Sequence, residues 1–327
     1  MSNLEEISIK EFADEDKIEW DEFIDHSKNG TFLHKIDYLH YHKDRFTDCS
    51  LLLKKKDRIV AVMPGNIEGS TFYTHKGITY GGLLTLPETK IDDVITYFNR
   101  INQYLKEEKQ VRKVVYKSIP FIYPSIPSQE DEYVLFRLGA KIIHSGISST
   151  IYKDERIPFT TLRKRGIKKA KNYPLEIKID YQYEDFWRIL TENLLKTYHS
   201  KPVHTLSEMK KLKNLFNDHI RLFSVYYEKE CLAGVVMYVS KNVARVQYIS
   251  ASETGKKLAA LDYLFDYLIH QVFTNVKYFD FGTSAGGENT YLNEGLIFQK
   301  QGFGARGILY QQYEYEVDRI IENKKED

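Results

Sequence analysis

The 327-residue sequence has little of several features that would fix its class. There are two cysteines, Cys49 and Cys231, far apart and in no CxxC or zinc-type spacing. Neither a disulfide framework nor a thiolate metal site is expected, and a reducing cytoplasm is the natural setting. His199 and His204 stand five apart with no third ligand in reach by spacing, so no metal is expected. No apolar run approaches the ~20 residues that cross a bilayer; Leu232 to Val239 is strand-sized. Met1 to Lys10 has neither the basic nor the apolar region of a secretion signal. Charge of one sign is missing too. Lys+Arg 47 against Asp+Glu 46 leaves +1, so no bulk field draws DNA or another polyanion, and such a partner must meet a local patch. A G-x-S-x-G or Cys/His nucleophile signature is absent as well.

What is plentiful is tyrosine. Tyr 25 and Phe 18 against Trp 2 suit half-buried strand faces and clefts, where a ring packs and a hydroxyl stays wet. At roughly 150 residues per domain the length suggests two domains. The pattern agrees, because one order of elements occurs twice.

In the first half, helical stretches at Ile18 to His26 and Ile36 to Arg45 precede a hairpin, Ser50 to Lys54 with Arg58 to Pro64. A strand at Gly77 to Leu84 follows, then a helix at Ile91 to Glu107 with Ile91, Val94, Ile95, Phe98, Ile101 and Leu105 on one face. A strand at Arg112 to Ser118, a helix at Glu130 to Leu138 and a strand at Lys141 to Tyr152 complete it. The second half gives helices at Tyr183 to Thr197 and Leu206 to Asp218, a hairpin over Arg221 to Val239 and a strand at Ala244 to Ser250. It continues with a helix at Leu258 to Val272, a strand at Lys277 to Gly282, a short helix at Asn293 to Lys300 and a strand at Arg306 to Val317. The expected class is α/β (α+β), with one mixed central sheet flanked by helices in each half. The expected divisions are 1–158, a basic linker helix 159–178, and 179–327.

That linker holds six cations within 163–171, from Arg163 and Arg165 to Lys171, in an otherwise neutral chain. It reads either as a solvated helix or as a phosphate-recognising segment, since Arg forks fit phosphate. Gly302 to Gly307 spells G-x-G-x-x-G, but helix-then-strand is the wrong order for a dinucleotide fingerprint.

Taken together, the repeated order and three stretches of the second half resemble the tandem GNAT-like fold of the FemAB family of acyl and aminoacyl transferases. Lys277-Tyr278-Phe279-Asp280-Phe281-Gly282 resembles that family's aromatic-Asp-Phe-Gly core strand. Gly295 to Gly304 is similar to its closing "fK.gFG" signature, with Lys300 at or beside the lysine, and Arg163 to Lys171 to its basic helix. The likeness covers most of 160–317. The long helical hairpin of cross-bridge-building members has no counterpart here. Ser252 to Ala259 stands where GNAT acyl-CoA enzymes carry a glycine-rich pyrophosphate loop, with Gly255 its single glycine.

The resemblance implies two GNAT-like domains with a substrate cleft between them. It implies acyl or aminoacyl transfer to an amine or hydroxyl of a cell-envelope or nucleotide-sugar type acceptor, by direct attack without a covalent enzyme intermediate. The donor would be acyl-CoA or aminoacyl-tRNA; near-neutral charge offers no extended tRNA footprint and the degenerate loop weakens coenzyme A, leaving acyl-CoA slightly favoured. Asp280, in an apolar run, Lys300 and His199 are the expected catalytic residues. His75, Tyr80, Arg163, Arg165, Tyr198, Glu288 and Asn293 are expected to contact a small-molecule or muropeptide-like acceptor. Ser252, Thr254, Gly255 and Lys256 are expected at a pyrophosphate. Two other readings are a non-catalytic double-GNAT module that binds a nucleotide-linked ligand or partner, and an RNA-binding protein using the basic helix and tyrosines.

Overall fold

The computed structural model describes residues 7–286 and 291–322. In one unit, Met1–Gly146 with Leu309–Asp327, the helix Ile91–Glu107 buries the apolar stripe expected of it. Its start is fixed by the Lys90 N–H donating to Asp93 Oδ2 at 3.0 Å. The stripe shares a core with Leu51, Leu53, Ala61 and Met63. These belong to an antiparallel sheet ordered Ile7–Glu11, Leu51–Lys55, Arg58–Met63, Leu84–Thr85. Each leucine or phenylalanine buried this way contributes roughly 1.5–3 kcal/mol. Beside it, Thr71–Tyr73 pairs in parallel with Lys113–Lys117, which pairs antiparallel with residues 312–316.

The other unit, Ile147–Ile308, is built on a mixed sheet. Leu175–Ile179, Ile220–Tyr227, Glu230–Val239 and Val243–Ala251 run antiparallel in that order. Tyr278–Thr283 then joins in parallel, and residues 148–152 pair antiparallel with it. Phe223, Val225, Phe279 and Phe281 face the helix Ala260–Tyr267. The opposite face carries the helix Tyr183–Tyr198, whose Phe186 lies so close to Gly234 that a Cβ there would stand 2.4 Å from the ring.

Several expectations are corrected. No strand spans Gly77 to Leu84; the Lys117 ammonium donates to the carbonyls of His75, Lys76 and Ile78 and gathers that backbone into turns. Instead, Asn66–Glu68 and Thr71–Tyr73 form an unanticipated hairpin. The helix read over Leu258 to Val272 is Glu253–Lys257, a left-handed Ala259 at φ +57°, then Ala260–Tyr267 and a π-turn at Leu268–Val272. Ile36 to Arg45 shortens to Ile36–Leu39 and a 3₁₀ turn. The basic segment is no free linker: Thr161–Ala170 packs within the second unit, Gly166 directly against Asp262 of Ala260–Tyr267. The division into units likewise falls inside the long strands Lys141–Tyr152 and Arg306–Glu316, away from the boundaries expected at 158 and 178. Residues 148–152 and 312–316 each complete the unit that does not contain the rest of their repeat. Local patterning marks a strand but not its partner, so the exchange was invisible in sequence.

Candidate active site

The parallel strands Val243–Ala251 and Tyr278–Thr283 pair only at Val243 with Tyr278, Ala244 with Phe279 and Arg245 with Asp280. Beyond that point no pairing joins them. An irregularity leaves Gln247 as an extra residue on one strand, because Val236 faces Tyr248 while Met237 faces Val246. A second falls on the other strand after Asp280. Bulges of this kind re-aim side chains and end pairing, and they open the sheet into a fork.

Asp280 sits at the fork, wholly buried. Phe279 and Phe281 point to the helical core, so strand alternation turns Asp280 to the other face. Its Oδ1 accepts from Ser148 Oγ, from Thr150 Oγ1 at 3.0 Å and from the Gly282 N–H at 3.1 Å. Its Oδ2 lies 3.6 Å from Arg245 Nε. A buried carboxylate is tolerable only with such partners.

Lys300 is buried as well, on the helix Glu294–Gln301. Its ammonium donates to Gly282 O at 2.7 Å, Thr283 O at 2.9 Å and Ser284 Oγ at 2.9 Å. These use all three of its protons. Burial pushes its pKa down to about 8, with the Asp280 carboxylate pulling the other way. Lys300 therefore ties the strand end after the fork to a helix, and an oxyanion would have to displace one of these acceptors.

The third part of the site is Tyr248 with His204. The hydroxyl lies 2.6 Å from His204 Nδ1 and accepts the His204 backbone N–H at 3.2 Å. The Trp187 ring packs edge-on against Tyr248 at 5.2 Å. Burial raises the phenol to about 12, against contributions from Gln247 and the Arg245 guanidinium that lower it. One proton is thus shared between a phenol and an imidazole beside the fork, an arrangement that can take up or release a proton at a reacting group.

His199 is the exposed, left-handed C-cap of Tyr183–Tyr198, with no hydrogen bond to Asp280 or Lys300, and Tyr198 is that helix's last residue. Arg163 donates to Asp262 at 2.6 Å and lies over the Phe303 ring, so its guanidinium already has an acid, whereas Arg165 is exposed. Asn293 caps Glu294–Gln301 by accepting the Leu296 N–H. His75 and Tyr80 are buried in the first unit. The Gly77 N–H donates to His75 Nδ1, and the Tyr80 ring packs at a tilt against Tyr123 with its hydroxyl hydrogen-bonded to that of Thr31. Glu288 lies outside the described residues. Ser252 caps Glu253–Lys257 by accepting the Gly255 N–H at 3.1 Å, and Gly255 is pressed on Leu232 O. Thr254 is exposed, and Lys256 pairs with Glu253 at 2.8 Å. Among the described residues no cluster of metal-ligating side chains occurs.

Sequence reading missed Arg245, Ser148, Thr150 and Tyr248. Arg245 and Gln247 alternate with apolar neighbours and read as a solvent face. The usable signal was complementary: one acid between Phe279 and Phe281, and one arginine between Ala244 and Val246.

Residues 163–291 match the acetyltransferase (GNAT) domain family. The fold is similar to that of FemX, with a TM-score of 0.68 over 94% of this chain and 97% of that one at 10% identity. L-PGS from Bacillus licheniformis gives 0.61, covering 95% and 94% at 12% identity. A tandem GNAT protein from the clavulanic acid biosynthesis pathway gives 0.51, covering 97% and 100% at 9% identity. No curated protein matches in sequence. The mixed α/β fold expected from the repeated pattern is borne out by these likenesses.

Proposed function

We propose that this chain, whose residues 163–291 match the GNAT acetyltransferase domain family and whose fold is similar to that of FemX, moves an acyl or aminoacyl group from an activated donor to an amine or hydroxyl of a cell-envelope or nucleotide-sugar type acceptor. The observation that carries this reading is the fork after Arg245 and Asp280, inside the matched GNAT segment. A strand edge released from pairing presents backbone N–H and C=O groups, which can hold an extended donor and polarise its carbonyl.

In this scheme the acceptor attacks the carbonyl directly and the leaving group departs with a proton. Tyr248, with His204 behind it, handles that proton. Asp280, Arg245 and Lys300 are positioning residues that hold the two arms of the fork, and bring no proton themselves. Direct attack is supported by the thiols, since Cys231 is buried and pushed up to about 11, and Cys49 to about 12. For an acyl-CoA donor, the chain from Ser252 to Lys257 fits a pyrophosphate in backbone terms. It starts a helix just after Val243–Ala251, where the Ser252 hydroxyl takes the Gly255 N–H and the N–H groups of Glu253 and Thr254 have no intrahelical acceptor, and Lys257 is exposed beside them.

The test is a thermal-shift panel with coenzyme A, acetyl-CoA, charged and uncharged tRNA, and a UDP-linked muropeptide. A ligand at a hundred times its dissociation constant adds about 2.7 kcal/mol. A shift with the coenzyme A species is expected; a shift with charged tRNA alone moves the donor to the aminoacyl branch. Silence from all of them overturns the transferase. One observation favours a non-catalytic binding module instead: Lys300 has every proton committed. That module would show binding without turnover, and a Tyr248→Phe variant would be silent. The transferase reading expects Tyr248→Phe to lose roughly 10²-fold in turnover with its melting temperature kept.

A further inference from the structure

On the opposite side of the same sheet lies a cavity of about 640 Å³ that the fork does not use. Ile151 lines it, and Ile151 pairs with Phe279 while the neighbouring Thr150 pairs with Asp280. Successive residues face opposite ways, so cavity and fork are separate. The floor is apolar: Ile151, Ile269 and Phe303 are nearly inaccessible, and Ile157, Pro158 and Phe159 form its wall. The volume suits a small ligand rather than packing noise.

Its rim is cationic. The helix Thr161–Ala170 turns Lys164, Ile167 and Lys168 toward it, with Lys171 one turn on, while Arg163 and Gly166 pack the other way on Asp262. Arg156 adds a charge from the far wall, where it donates to Ile269 O at 3.2 Å. Lys171 has Asp266 at 3.3 Å. Asp266 is the one carboxylate among the lining residues, against four cations. Lys164 and Lys168 have no carboxylate partner among the described residues.

An apolar slot with unneutralised ammonium groups at its mouth is complementary to an amphiphile with one hydrocarbon chain and an anionic head. We propose that this cavity binds such a molecule, its chain against Ile151, Ile269 and Phe303 and its head on Lys164 and Lys168. Two of the six cations of 163–171, Lys164 and Lys168, then serve recognition of a single anion, and the ligand class is distinct from the donor and acceptor assigned to the fork.

The probe is 1-palmitoyl-lysophosphatidate, titrated below its critical micelle concentration into the full chain by calorimetry. 1-Palmitoylglycerol supplies the chain without the anion, and inorganic phosphate the anion without the chain. Saturable one-to-one binding is expected for the lysophosphatidate, and none for either control at tenfold higher concentration. Lys164→Glu/Lys168→Glu should weaken binding by roughly tenfold or more. Lys229→Glu/Lys241→Glu, which reverses two exposed charges elsewhere, should leave it within about twofold. Equal affinity in the two double variants, equal binding of palmitoylglycerol or of phosphate, or no saturable binding overturns the proposal. All four lysines are exposed, so both variants remain folded, which an unchanged melting temperature verifies.

Discussion

Lys300 and Asp280 are fixed by one buried hydrogen-bond set, and the linkage between protonation and folding follows from it. The folded pKa of Lys300 lies below its ordinary value, at about 8 against 10.5. Folding then favours the neutral amine. This contribution is fully present above 10.5 and is lost as pH falls through about 8, a swing of about 3 kcal/mol. Urea unfolding of the wild type from pH 7.5 to 10.5 should therefore rise relative to a Lys300→Met variant, and a constant difference across that range contradicts the assignment. His75 runs in the same direction at lower pH. Burial, with His42 and Lys117 adding to it, pulls its pKa down to about 3, and burial pulls that of His34 to about 4. Stability that both histidines supply above 6.5 is lost as pH falls from there toward 4. His75→Gln should flatten the acid limb of the unfolding curve.

Elements meet where side chains are small or backbones bend. Thr161–Ala170 crosses Ala260–Tyr267 at Gly166, where a Cβ would stand 2.0 Å from Asp262 Oδ2. Gly166→Ala must push the Asp262 carboxylate aside and strain the Arg163–Asp262 pair, at a cost of roughly 1–3 kcal/mol. A melting temperature unchanged by this substitution would show that the crossing is looser than its geometry. Ala259 tells the opposite story. It holds φ +57°, where a Cβ costs about 1–2 kcal/mol, between the helices Glu253–Lys257 and Ala260–Tyr267. The apolar stripe from Leu258 onward was legible, but not this break, because periodicity records which face is buried and is blind to one reversed dihedral. For the same reason Ile91–Glu107 is legible to its ends, while a strand is expected over Gly77 to Leu84 where the chain turns until Leu84–Thr85.

At the scale of the whole molecule, residues 312–321 are committed to the first unit. Tyr315, Val317 and Ile321 are buried in its core, and the Tyr315 hydroxyl donates to Asn102 at 3.0 Å. Truncation after Ile308 should therefore unfold the unit that begins the chain. Hydrogen exchange is expected to accelerate in Ile91–Glu107 and to stay slow in Glu230–Val239. The reverse pattern, or equal loss in both, contradicts the exchange of terminal strands.

By itself the sequence determined what is local or compositional: two α/β copies, the long amphipathic helix, buried Asp280, and the likeness of residues 160–317 to an acyltransferase family. The elements follow from spacing along one strand or helix, where the repeat of 2 or 3.6 residues is set by backbone geometry, and the likeness from the motifs at 163–171, 277–282 and 295–304. Only the tertiary structure decided the rest. The pairing of Arg245 with Asp280, the capture of Arg163 by Asp262 and the saturation of Lys300 all join residues distant in sequence. So do the fork and the cavity behind it. Such contacts depend on strand order and register, which are settled by how whole faces pack and are written in no short stretch of chain.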